Sequence, residues 1–159
     1  MSKQYYKAHD YKARESIGYL LRRGRNLLTQ QVEALFKQKF GDDGVPYVHW
    51  VILMCLRDDL ATTPSELSQY ICHDSGALTR VLDQMEERSL ITRERSSEDR
   101  RVIHLALTPE GRKTVESLIV IVVDYYNELL TDFSHEEIDM LVRLLTRVVD
   151  KLDSARSDG

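Results

Sequence analysis

Four arginines fall within nine residues, at positions 93, 95, 100 and 101, among Ser96, Ser97, Glu98 and Asp99. Guanidinium groups at that density on a short polar segment suit phosphate oxygens or a narrow A·T minor groove, where negative potential concentrates. Arg95, Arg100 and Arg101 are the candidates for those contacts. A second stretch, residues 74–80, reads Asp-Ser-Gly-Ala-Leu-Thr-Arg. At the start of a helix it would present short polar and basic side chains to major-groove base edges. Ser75 and Gly76 are small enough to permit close approach. Ser75, Thr79 and Arg80 can donate to bases or phosphates, and Ala77 can touch a thymine methyl. A third group, Tyr47, His49 and Trp50, lies downstream of Arg22 and Arg23. It has the parts of a site for a small aromatic carboxylate: rings that stack, an imidazole donor and a guanidinium. The same residue types also suit plain packing at a joint between helices.

Other chemistries find little. His9, His49, His73, His104 and His135 are scattered with no i, i+4 pair, so a metal site would have to assemble across two chains. Cys55 and Cys72 make no metal-ligand spacing, and Cys72 beside His73 is the one candidate for a reactive thiol. No nucleophile motif and no glycine-rich phosphate loop is present. We therefore expect a non-enzyme without a cofactor.

The 159 residues are 42% hydrophobic and 30% charged, enough apolar mass for a core. A net charge of −4 rules out a generally basic nucleic-acid coat, so any such site must be a local patch. Seven bases against two acids in residues 3–25, and six against four in residues 93–113, supply local surpluses. From Thr114 onward ten acids face four bases. The start of the chain carries no apolar segment and the longest apolar run is far short of a bilayer span, so a cytoplasmic protein with no membrane role is expected.

These residues need elements to hold them. A helical period runs over residues 10–40 and ends at Gly41-Asp42-Asp43-Gly44. Pro46 opens a second helix over 47–57. Thr63-Pro64-Ser65-Glu66 is a capping box for a short helix to about Ile71, and Asp74 or Ser75 can cap another to about Arg88. Two short helices joined by three residues form a helix-turn-helix signature. Strand-like segments at 90–93 and 102–107 then flank the charged stretch, which makes a wing. Thr108-Pro109 and Ser134-His135-Glu136-Glu137 open two closing helices. The last has Ile138, Leu141, Leu145, Val148 and Leu152 near a heptad seam. The fold class is mainly α with a small β-hairpin wing. We expect an N-terminal dimerisation helix (1–45), a winged helix-turn-helix domain (46–108), C-terminal dimerisation helices (109–155) and a disordered tail (156–159).

The segments TPSELSQYI, ALTRVLDQMEERSLITR and SSEDRRVIHLALTPEGR, in that order over residues 63–112, resemble the MarR family of transcriptional regulators. The resemblance implies a homodimer whose first and last two helices intertwine. Each winged domain would dock one half of a pseudo-palindromic operator in double-stranded DNA. It also implies repression relieved by a small aromatic acid or by cysteine oxidation. In the family's wing pattern, Arg101 enters the minor groove and Asp99 orients a neighbouring arginine. Metal- or thiol-responsive regulation, and a dimeric interaction module without DNA binding, are the alternatives.

Overall fold

The computed structural model describes residues 5–41, 44–71, 75–96, 99 and 101–157. Two 3-10 turns, Ala8–Asp10 and Ala13–Glu15, precede helix α1, Ile17–Phe40. The expected start near Asp10 is therefore seven residues too early. Ser16 is the reason: its backbone is extended and its hydroxyl accepts the Tyr19 N–H at 3.3 Å, the work of an N-cap. Its hydroxyl also donates to the Ala13 carbonyl at 2.7 Å.

Helix α2, Tyr47–Arg57, is the centre of the core, burying His49, Trp50, Ile52, Leu53, Cys55 and Leu56. Val32 and Phe36 of α1 are buried as well, with the Phe36 ring edge-on to Trp50 at 5.9 Å. Helix α3, Pro64–Ile71, starts at the capping box read from sequence. The Glu66 carboxylate accepts the Thr63 N–H at 2.9 Å and the Thr62 N–H at 2.8 Å, while Thr63 Oγ1 accepts the Glu66 N–H at 3.2 Å. Those backbone donors hold the Glu66 carboxyl below its ordinary range.

Helix α4, Ser75–Glu87, buries Leu78, Leu82 and Met85 on one face. It ends in a Schellman turn, with Ser89 at φ 54°, the Leu90 N–H bonded to the Met85 carbonyl and the Ser89 N–H to the Glu86 carbonyl. The chain then enters β1, Ile91–Arg95, which pairs antiparallel with β2, Ile103–Leu107, in the register Ile91↔Leu107 to Arg95↔Ile103. Leu105 also donates its N–H to the Thr62 carbonyl at 2.7 Å, so the segment before α3 braces the hairpin base.

Helices α5, Pro109–Leu129, and α6, His135–Ser157, follow. Thr108 caps α5 by accepting the Gly111 N–H at 2.9 Å, and Ser134 and Glu137 close the second capping box at 2.9 and 3.3 Å. Helix α6 runs to Ser157.

Packing divides the chain inside α5, into a unit up to Ile119 and one from Val120 onward. The physical cause is burial. Val32 and Phe36 before position 45, and Val115 and Leu118 after 108, are buried to within 1% of full coverage in the first unit. From Val120 onward Val122 is the one buried side chain among the described residues.

Candidate nucleic-acid interface

The inward face of α4 is fixed by Leu78, Leu82 and Met85, so helical geometry turns Gly76, Ala77, Thr79 and Arg80 outward. All four are exposed. Ser75 begins the helix. Its candidate cap Asp74, like Cys72, His73 and Arg100, lies outside the described residues. Among the described residues, the first turn of α4 thus exposes the small Gly76 and Ala77 and the donor-bearing Thr79 and Arg80, the kind of surface that entry into a major groove needs.

Arg95 and Arg101 are exposed on the hairpin beyond its braced base. Asp99 organises the turn between them: its Oδ1 accepts the Arg101 N–H at 2.9 Å, and its carbonyl accepts the Val102 N–H at 2.9 Å. These contacts fix where the Arg101 backbone leaves the turn. Arg93, the fourth arginine of the wing, behaves differently. It pairs with Asp83 at 2.6 Å and Glu86 at 3.4 Å, both on α4. Its place on β1, two residues after the buried Ile91 and opposite the buried Leu105, was the available signal, since period-2 alternation turns it to the protein.

The expected aromatic-acid cluster does not assemble within the chain. Tyr47 is half-buried, His49 and Trp50 are buried, and Arg22 and Arg23 are exposed. Trp50 meets Phe36 edge-on, thirteen residues along α1 from Arg23, which at 1.5 Å per residue is about 20 Å of helix. A guanidinium cannot span that distance. His49 is 2% exposed, and among the described residues neither ring nitrogen has a hydrogen-bond partner. The Gln84 amide lies near enough to favour the charged ring weakly, but burial and the Arg88 guanidinium outweigh it and hold the imidazole below its ordinary value of 6.5. A cleft of about 250 Å³ is lined by Glu33, Lys37, Gly41, Gly44, Val45 and Pro46, and by none of these candidates.

That histidine makes stability depend on pH. The unfolded chain takes up its proton near 6.5 and the folded chain only at lower pH. Stability is therefore complete above about 6.5 and falls as pH drops toward the folded value, by up to about 1.4 kcal/mol per unit. Urea unfolding between pH 5 and 8 should show this slope, and His49→Leu should flatten it and leave the protein at least as stable at pH 7. An unchanged slope in the variant would remove His49 as its source.

Cys55 is buried, and burial followed by the nearby Asp58 carboxylate pushes its thiol up, away from the thiolate that oxidation requires. Among the described residues no group of His, Cys, Asp or Glu is placed to hold a metal ion, and no helix is long and apolar enough to cross a membrane.

Residues 45–103 match the model of the MarR family. The chain is 30% identical over 108 residues to the HTH-type transcriptional regulator SarZ of Staphylococcus epidermidis, covering 68% of this chain and 72% of that protein. It is 31% identical over 96 residues to the transcriptional repressor MprA of Escherichia coli, covering 60% of this chain and 54% of that one. The fold superposes on Bordetella bronchiseptica BpsR with a TM-score of 0.69 and 26% identity, over 88% of this chain and 97% of that one. That structure describes regulation of BpsR's DNA binding by 6-hydroxynicotinic acid.

Proposed function

The chain belongs to the MarR family of transcriptional regulators, and from that premise we propose that it is a homodimeric repressor that reads a pseudo-palindromic operator. The observation that carries this reading is the juxtaposition of two exposed surfaces on one packed unit. One is the outward first turn of α4, which Ser75 begins and where Gly76, Ala77, Thr79 and Arg80 are exposed. The other is the wing, where Asp99 fixes the departure of Arg101. The helix suits a major groove, and Arg95, Arg100 and Arg101 suit the flanking minor groove or its phosphates. The regulators SarZ and MprA support it by likeness.

A second copy is invoked for a physical reason. Val120, Val123, Leu129, Met140, Leu141, Leu144, Val149 and Leu152 are exposed large apolar residues in the unit from Val120 onward. A soluble chain covers such surface. A two-fold pairing of α1, α5 and α6 would do so and would set two winged domains one helical turn of DNA apart.

The test is selection of bound duplexes from a random library, then titration of the selected site and a scrambled one at several salt concentrations. Selected sites should carry two-fold symmetry with half-sites about 10 base pairs apart. Arg101→Ala should weaken binding to both duplexes and lower the salt slope by about one if it meets phosphate. Thr79→Ala should cost about 1–3 kcal/mol of discrimination and little general affinity. Wild-type behaviour in both variants would refute this docking.

For the releasing signal we assign a small aromatic acid, by analogy with what is described for BpsR. Since Arg22 and Arg23 stand far from Trp50 in one chain, any pairing of these groups around a ligand must draw on the second copy. With 6-hydroxynicotinic acid as probe, release of bound operator supports this arm, and undiminished binding at millimolar probe removes it.

A further inference from the structure

We propose that Arg93 is a positioning residue for DNA binding, a strut that fixes the wing relative to the recognition helix. The proposal rests on the DNA-binding reading above.

Its guanidinium reaches across from β1 to two carboxylates one turn apart on α4, Asp83 at 2.6 Å and Glu86 at 3.4 Å. Asp83 follows Arg80 by three residues, so the tie attaches just behind the helical surface assigned to the major groove. On β1 it attaches two residues before Arg95, at the point where burial ends. Ile91 and Leu105 are buried, whereas Glu94, Arg95, Asp99, Arg101, Ile103 and His104 are exposed. A two-stranded ribbon without a packed face does not hold its own direction. Among the described residues of the ribbon, Arg93 makes an ion pair to another element, at the same register position as the Leu105 N–H bond to Thr62.

Simultaneous docking in a major and an adjacent minor groove demands a fixed angle between helix and wing, and rigid positioning spares the ordering cost at binding. A planar fork meeting two acceptors specifies direction better than a point charge does. The side chain is 27% exposed and both its partners are acidic, so its charge is already committed inside the protein and not offered to phosphate.

Three readouts on the full-length chain separate this role from its rivals. Arg93→Met should lower affinity for the selected operator about tenfold with an unchanged salt slope. A slope reduced by about one would make Arg93 a phosphate contact and overturn the proposal. In the Arg93→Met background the loss caused by Arg101→Ala should shrink at least threefold, because a wing that is no longer aimed has less to lose. An undiminished loss would overturn the proposal. The third readout is charge. Arg93→Met leaves two carboxylates facing DNA, so the neutral triple variant Arg93→Met, Asp83→Asn, Glu86→Gln removes the tie without adding repulsion. It should stay weak, and full recovery would reduce Arg93 to a counter-charge. Arg93→Lys, which can keep one pair, should recover part of the affinity. Should the wild-type chain bind no DNA, amide hydrogen exchange in the wing still judges the strut: faster exchange at residues 94–102 in Arg93→Met supports it, and unchanged exchange refutes it.

Discussion

Gly111→Ala is expected to destabilise the protein by about 3 kcal/mol, the upper part of the range for overpacking a closed site. A Cβ built at Gly111 would lie 1.9 Å from the Leu90 carbonyl oxygen and 2.9 Å from its carbon. Both are backbone atoms held in the turn between α4 and β1, where the Thr108 N–H also bonds to Leu90. Nothing flexible can yield, so α5 must lift off the hairpin base. That lift pulls at Val115 and Leu118, which are fully buried. The sign is the informative part, since glycine inside a helix ordinarily costs about 1 kcal/mol relative to alanine and the replacement would stabilise. Gly18 supplies the control: it lies in the first turn of α1, where an added Cβ meets nothing within 4 Å. Thermal unfolding of Gly18→Ala should match or exceed the wild type, whereas Gly111→Ala should melt roughly 10 °C lower. Equal midpoints for the two variants would mean that the Gly111–Leu90 contact is not closed in solution.

The second large effect concerns assembly. Leu145→Asp should convert the proposed dimer to monomer at micromolar concentration. Leu145 is 37% exposed in the single chain and shares α6 with Leu141, Val149 and Leu152, which are also exposed. If a second copy covers this seam near a two-fold axis, each dimer acquires two carboxylates with no partner. An uncompensated buried charge costs on the order of 3–5 kcal/mol, at least a hundredfold in Kd. Sedimentation should find the wild type at twice the mass of one chain and the variant at one, still helical. A wild-type chain that sediments as a folded monomer would contradict the assembly, and so would a variant that remains dimeric. Operator binding should weaken with it, since half-sites would be engaged one at a time.

Much of this architecture was legible because its start signals are local chemistry. Thr63 with Glu66, Thr108, and Ser134 with Glu137 announce helices through bonds made within one turn, and all three close as read. The wing was legible as a change of period, and the recognition helix as polar residues opening an apolar stripe. What escaped depends on distance in space. Ser16 is as good a cap as Ser134, but the helical pattern upstream concealed it. The place of Gly111 against Leu90 and the brace from Leu105 to Thr62 join residues that no local window links. The aromatic cluster turns on distance in the same way. Spacing places Tyr47, His49 and Trp50 together, but it does not say that the core claims the last two, or that Phe36 instead of an arginine meets Trp50.

The central claim, sequence-selective DNA binding through α4 and the wing, is tested most directly by one titration. Fluorescence anisotropy of the wild-type chain on its selected operator and on a scrambled duplex of equal composition, from 50 to 300 mM salt, gives both affinity and slope. The account predicts that the operator binds at least about a thousandfold more tightly than the scrambled duplex near physiological salt, with both affinities falling linearly in log salt. Equal affinities for the two duplexes, or no binding to either at 50 mM salt, would contradict it.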